Sequence, residues 1–160
     1  MQVIILLVVT VFSLIATYER NIAWKSELDI WEDAWRKNSK KDRVYVYLGI
    51  AYYHQGLIDK SINSYEMALR INPDDPYAHT GIGLDYASHG FYDEAYKHYQ
   101  TALRLKPDNA TTHYHLGLMF LEPAIRDVTM ARKEFELALQ IDPNNSCFAS
   151  VGNGLCSRLS

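Results

Sequence analysis

Apolar and polar positions along this chain follow two periods, one of three to four residues and one of 34. From residue 42 onward, large apolar side chains return at helical spacing. Tyr45, Leu48 and Tyr52 make one such face, and Ile62, Tyr65 and Leu69 make a second. Each set falls on one side of an amphipathic helix. Gly56 separates the two predicted helices and Asn72-Pro73 ends the second, as helix-stopping residues do. The pattern then returns. His79, Ile82 and Tyr86 precede Gly90, and Ala95, Tyr99, Ala102 and Leu103 precede Pro107. Gly49, Gly83 and Gly117 stand 34 residues apart, as do Leu48, Ile82 and Leu116. The predicted units are 42–75, 76–109 and 110–145. A repeat of this length is one helix pair that cannot bury its apolar face alone, so neighbours must stack into a shared core. Stacking builds an extended surface rather than a reaction pocket, which predicts binding.

The recurring positions resemble the tetratricopeptide repeat. That family carries a large residue, then Leu-Gly, Tyr, Ala, an aromatic, Ala and Pro. The first unit supplies Tyr45, Leu48-Gly49, Tyr52, Ser61, Tyr65, Ala68 and Pro73. The second supplies His79, Ile82-Gly83, Tyr86, Ala95, Tyr99, Ala102 and Pro107. The third supplies His113, Leu116-Gly117, Phe120, Ala131, Phe135, Ala138 and Pro143. Small residues belong where two helix backbones approach closely, and aromatics fill the space between helices. The resemblance implies an all-α solenoid of three repeats. The third unit departs from it by two inserted residues within 122–129, where Pro123 ends a helix and the turn glycine is missing. That segment is a tolerated loop insertion or a loop that touches a partner.

Residues 3–17 carry no charge, and eleven of the fifteen are Val, Ile, Leu or Phe. Together they contribute roughly 3–7 kcal/mol toward insertion into a bilayer. As a helix, 1–18 would span about 27 Å, close to a hydrocarbon core. The reading is one transmembrane helix. A secretory signal peptide is its rival, weakened by the missing basic residue before the run and the poor cleavage site after it. Residues 19–41 follow as an amphipathic linker. Trp24, Leu28, Trp31 and Trp35 form one stripe, and Trp31-Glu32-Asp33-Ala34-Trp35-Arg36 lies 34 residues before Tyr65-Glu66-Met67-Ala68-Leu69-Arg70. This predicts half a repeat capping the array. The stretch Arg20-Asn21, Trp24, Glu27, Ile30-Trp31, Asp33 also resembles the junction in bacterial O-mannosyltransferase-like polytopic membrane proteins. There a last transmembrane helix enters an extracytoplasmic repeat tail. That resemblance carries over no catalytic residue.

The net charge of −3 argues against nucleic acid as the main partner. Arg36, Lys37, Lys40, Lys41 and Arg43 form one basic cluster, a solvated turn or a contact for anionic lipid. Arg20 and Lys25 follow the apolar run, which by the positive-inside rule leans toward cytoplasmic repeats. The junction resemblance leans the other way, and the repeats are expected to be extracytoplasmic. The two cysteines, Cys147 and Cys156, lie in the 146–160 tail as a disulfide or two thiols. That tail is a short cap at most, since Gly152 and Gly154 disfavour helix.

Catalytic chemistry is not legible. His113 and His115 are two apart on a helix and point to different sides. Asp85 and His89 are four apart and read as a helix-surface ion pair. There is no phosphate-binding glycine loop, zinc spacing or nucleophile elbow. No enzyme activity, cofactor or metal is expected. The family resemblance implies a concave groove lined by the first helix of each unit. By register it presents Val46, Ile50, Tyr53 and His54; Tyr77, Thr80, Leu84, Ala87 and Ser88; and Thr111, Tyr114, Leu118 and Leu121. The Lys, Asn and Arg of family members that clamp a C-terminal carboxylate are missing from this set. An apolar, Tyr-lined groove suits a helix or extended segment with aliphatic anchors. The expected function is a membrane-anchored scaffold that holds or assembles a partner protein. The alternatives are the accessory tail of a membrane glycosyltransferase and a small permanent subunit of a membrane complex.

Overall fold

A computed structural model describes residues 28–37 and 41–145, and every described element is helical. Helix α1 covers 28–37. Three antiparallel pairs follow: α2 (Asp42–His54) with α3 (Ile58–Ile71), α4 (Pro76–Ser88) with α5 (Tyr92–Leu105), and α6 (Ala110–Leu121) with α7 (Val128–Ile141). The first helices α2, α4 and α6 lie side by side, and each second helix also packs on the next first helix. The apolar run at 1–18 that was expected to cross a membrane, Trp24, most of the junction at 20–33 and both cysteines lie outside the described residues. Among those described, no helix is long and apolar enough to cross a membrane.

The pairing follows from small residues set under aromatic rings. A Cβ built on Gly49 would meet the Tyr65 ring at 2.6 Å, and one on Gly81 would meet the same ring at 2.3 Å. Tyr65 of α3 is therefore held between α2 and α4, locking one unit to the next. Gly83 lies under Tyr99 and Gly117 under Phe135 in the same manner. Ser61, Ala95 and Ala131 are fully buried at the matching point of the second helices, as are Ala68, Ala102 and Ala138 two turns further along the same face. Burying each such aromatic contributes about 2 kcal/mol. Ser61 keeps its hydroxyl satisfied by donating to the Gly49 carbonyl at 2.9 Å.

Helix ends are set locally. Asp75 caps α4, accepting from the Tyr77 amide at 2.8 Å, with Pro76 as first helical residue. Asp127 caps α7 through the Met130 amide at 3.0 Å. Asn72 before Pro73 takes an extended conformation that ends α3 (φ −134, ψ 93). Within units 1 and 2 the turn closes by Leu57 N donating to Tyr52 O and Phe91 N donating to Tyr86 O, at 2.9 and 3.0 Å. Unit 3 makes the equivalent bond over two more residues, from Asp127 N to Phe120 O at 2.9 Å. The insertion is thus absorbed inside the turn. Arg126, with φ 50, holds the left-handed position that Gly56 and Gly90 hold at φ 72 and 80.

Helix α1 lies on unit 1. Trp31 stacks on Tyr47 with ring centroids 4.2 Å apart, and Trp35 Nε1 donates to the Tyr45 hydroxyl at 3.0 Å. The register explains the contact. Trp31 stands 34 before Tyr65, and Tyr47 stands 34 before Gly81, so the same two positions meet at both seams. At the first seam the ring rests on another ring rather than on a glycine.

Candidate partner-binding surface

The first-helix register positions divide into three kinds. Val46 and Thr80 do not line an open face. Val46 is buried against Tyr65, Ala78 and Ile82, and the Thr80 hydroxyl donates to the Pro76 carbonyl or pairs with the Thr112 hydroxyl at 2.7 Å. Each is covered by the first helix of the next unit, α4 over Val46 and α6 over Thr80. Ile50, Tyr53, Leu84, Ala87, Tyr114, Leu118 and Leu121 are half-buried. Tyr114 leans on Phe135 at 5.7 Å between centroids, so part of its ring is committed to the core of unit 3. His54, Tyr77, Ser88 and Thr111 are exposed.

Tyr77 is 50% exposed. Its hydroxyl accepts from Lys106 Nζ at 2.8 Å, and the ammonium lies 5.1 Å from its ring centroid. Arg43 stands at the register position of Tyr77 and Thr111 and is exposed on α2. It is the only lysine or arginine at these first-helix positions.

Polar pairs tie the two helices of a unit at a common register. His113 Nδ1 lies 2.7 Å from Glu134 Oε2, and its Nε2 donates to the Pro107 carbonyl at 3.1 Å. The Glu134 carboxylate raises the His113 pKa against the opposing effect of burial. One unit earlier the same two positions hold His79 and His98, with Nδ1 atoms 3.1 Å apart. Burial lowers the pKa of both, and for His98 the neighbouring His79 lowers it further. Nothing but the register signalled these pairs, position 4 with position 23 in unit 2 and, after the two-residue insertion, position 4 with position 25 in unit 3. His115 is directed elsewhere, with its Nδ1 buried and unpaired. Among the described residues, no three His, Cys, Asp or Glu are placed to hold a metal.

The Asp85–His89 surface pair expected from the sequence is not formed. Asp85 is completely buried and neither carboxyl oxygen has a hydrogen-bond partner. His89 Nδ1 instead approaches the Asp85 backbone carbonyl at 3.0 Å. The triplet Asn109-Ala110-Thr111, which has the form of a glycosylation sequon, is hidden by folding, because Asn109 is only 4% exposed.

A second concavity opens between α1 and unit 1. It encloses about 490 Å³ between Glu32, Trp35 and Arg36 of α1, Tyr45, Leu48 and Tyr52 of α2, and Lys60, Asn63, Ser64 and Met67 of α3. Tyr52, Glu32 and Lys60 are already engaged with one another. The Tyr52 hydroxyl donates to Glu32 at 3.1 Å, and Lys60 lies 5.6 Å above the Tyr52 ring. Burial and the Glu32 carboxylate raise the Tyr52 pKa.

The family model described as TPR repeat matches residues 49–90 and 83–122. Three solved structures show the same fold at low sequence identity. The first TPR of Spaghetti (RPAP3) bound to HSP90 peptide SRMEEVD is 22% identical, with a TM-score of 0.65, covering 76% of this chain and 94% of that one. YrrB, a TPR protein with an unusual peptide-binding site, is 20% identical, with a TM-score of 0.63 over 85% of this chain and 69% of its own. The Arabidopsis OM64 TPR domain is 17% identical, with a TM-score of 0.66 over 76% and 98%. No curated protein matches the chain. The resemblance to O-mannosyltransferase-like proteins finds no support in these matches. The matched spans run from within α2 to the end of α6, and together with the observed helix pairs they show that this chain carries tetratricopeptide repeats, stacked as an α-helical solenoid.

Proposed function

We propose that this protein is a non-enzymatic, membrane-anchored scaffold that holds a partner protein on the face shared by α2, α4 and α6. One observation carries the reading. Ile50, Leu84 and Leu118 are only half-buried although they repeat in register along that face, and Tyr77 and Thr111 stand exposed beside them. A row of partly covered apolar and aromatic groups at regular spacing fits a helix or extended segment with apolar anchors. Two of the similar folds are described by the peptides they bind or by a peptide-binding site. Arg43 adds a single cation at one end of the row, too little for a clamp built from several cationic and amide groups. The apolar run at 1–18 supplies the anchor, which raises the local concentration of the scaffold near a membrane partner.

The test is co-purification from native membranes in gentle detergent, with mass spectrometry of stoichiometric companions. The wild type is compared with a Tyr77→Ala, Leu84→Ser double variant and with a chain lacking 1–18. A companion kept by the wild type and lost by the folded double variant is expected, and retention by both would refute the groove. Continued sedimentation of the 1–18 deletion with membranes would refute the anchor.

A further inference from the structure

We infer that Asp85 is a proton-held junction between the first two repeats: its carboxyl sits in the fold as the neutral acid, and its ionisation loosens the seam between α3 and α4. The position is anomalous by register. Unit 1 has Ala51 at this point and unit 3 has Met119, both suited to a buried helix contact. Asp85 is 0% exposed there, and both its oxygens lack hydrogen bonds. The Tyr99 hydroxyl is buried and unpaired as well.

Each element packed around the carboxyl contributes a group that interacts with it. These are Tyr53 from α2, Ser61 and Tyr65 from α3, His89 just past α4, and Tyr99 from α5. None is a lysine or arginine. Ser61 donates its proton to the Gly49 carbonyl. An ionised carboxylate here would be a buried charge with little compensation, which is strongly unfavourable. The neutral acid is the cheaper state in such a site. Burial pushes the Asp85 pKa up to about 7, against the opposing influence of Ser61 and His89. Water must reach the carboxylate once it forms. Ser61 and Tyr65 of α3 both interact with the carboxyl on α4, so water drawn to the carboxylate acts on the packing of the α3–α4 seam. Tyr53 feels the Asp85 charge and belongs to the first-helix face, so the same event alters the proposed binding surface. Only that last consequence rests on the partner-binding reading.

The experiment follows unfolding by urea for the full chain in mild detergent between pH 5 and 8.5. Wild type is compared with Asp85→Ala, the residue of unit 1, and with Asp85→Asn, a neutral isostere. The unfolded aspartate ionises near its ordinary pKa and the folded one only near 7. The stability of wild type relative to either variant is therefore lost as pH rises through that window. The ratio of their folding equilibrium constants should fall by up to about tenfold per pH unit toward pH 7 and level off above it. His79, His98 and His115 titrate in all three proteins, so they cancel in the ratio. Hydrogen exchange at pH 8 should show faster opening of α3 and α4 in wild type than in Asp85→Asn. A ratio that stays constant across the range, with either variant, would overturn the proposal. So would equal exchange in the two proteins. Both readouts stand whether or not a partner binds.

Discussion

At the scale of single residues, the array depends on a few contacts with no slack. Tyr65 is gripped by Gly49 on one side and Gly81 on the other, so its ring cannot retreat from an added methyl group. Gly49→Ala should therefore destabilise the protein by about 1–3 kcal/mol, the usual effect of overpacking a core. Gly56→Ala is a useful contrast. A Cβ there meets nothing within 4 Å, and only its positive φ opposes the change. Urea midpoints for the two variants should separate the cost of a collision from the cost of a left-handed backbone. Polar residues at the same level were harder to read. Histidines 79 and 113 occupied positions explained by packing, yet each is bonded across its helix pair. Their partners, His98 and Glu134, come from a different helix, and no local spacing connects them.

At the scale of elements, two departures from the repeat have measurable consequences. Arg126 sits at φ 50 where the other units use glycine. A side chain in the left-handed region costs about 1–2 kcal/mol. Arg126→Gly should raise the thermal unfolding midpoint by the equivalent of about 1 kcal/mol, and an unchanged midpoint would show that the enlarged turn already relieves the strain. The other departure is α1. It is held to unit 1 by the Trp31–Tyr47 stack and by hydrogen bonds from Trp35 to Tyr45 and from Tyr52 to Glu32. An aromatic stack adds about 0.5–1.5 kcal/mol beyond burial. Trp31→Ala should accelerate amide exchange across 28–37 and leave α4 to α7 unchanged, because repeats communicate mainly through nearest neighbours. Slowed or unaltered exchange in α1 would mean that the hydrogen bonds alone hold it.

At the scale of the whole molecule, buried ionisable groups bracket the stable pH range. Burial lowers the His115 pKa to about 4. An unfolded histidine takes up a proton below about 6.5, while the folded one resists. The unfolded chain then binds more protons, so stability falls as pH drops from about 6.5 toward 4. Lowered values at His79 and His98 act in the same direction. His113, raised by Glu134, acts against them, because its favourable contact is fully present below the unfolded pKa. Asp85 sets the opposite limb. Replacing His115 by leucine should flatten the acid limb in urea unfolding between pH 4.5 and 6.5. A limb of unaltered slope would place the acid sensitivity on the other histidines.

The helices and their order were legible in the residues because their causes are local. Gly49, Gly83 and Gly117 mark close backbone approach, Pro73, Pro107 and Pro143 stop second helices, and large side chains return at helical spacing. The alignment of Ile50, Leu84 and Leu118 along the first helices was legible for the same reason, since helical register alone puts them in line. The remainder depended on which neighbour covers each face. Val46 and Thr80 have the same register as Tyr114, but α4 and α6 bury the first two. Asp85 and His89 are four residues apart whether they face water or the core, so their spacing could not separate a surface pair from an orphaned acid. The chain by itself specified which segments become helices and how often they repeat. Packing between units settled which of their side chains remain available to a partner, because burial is a property of two surfaces and a sequence position describes only one.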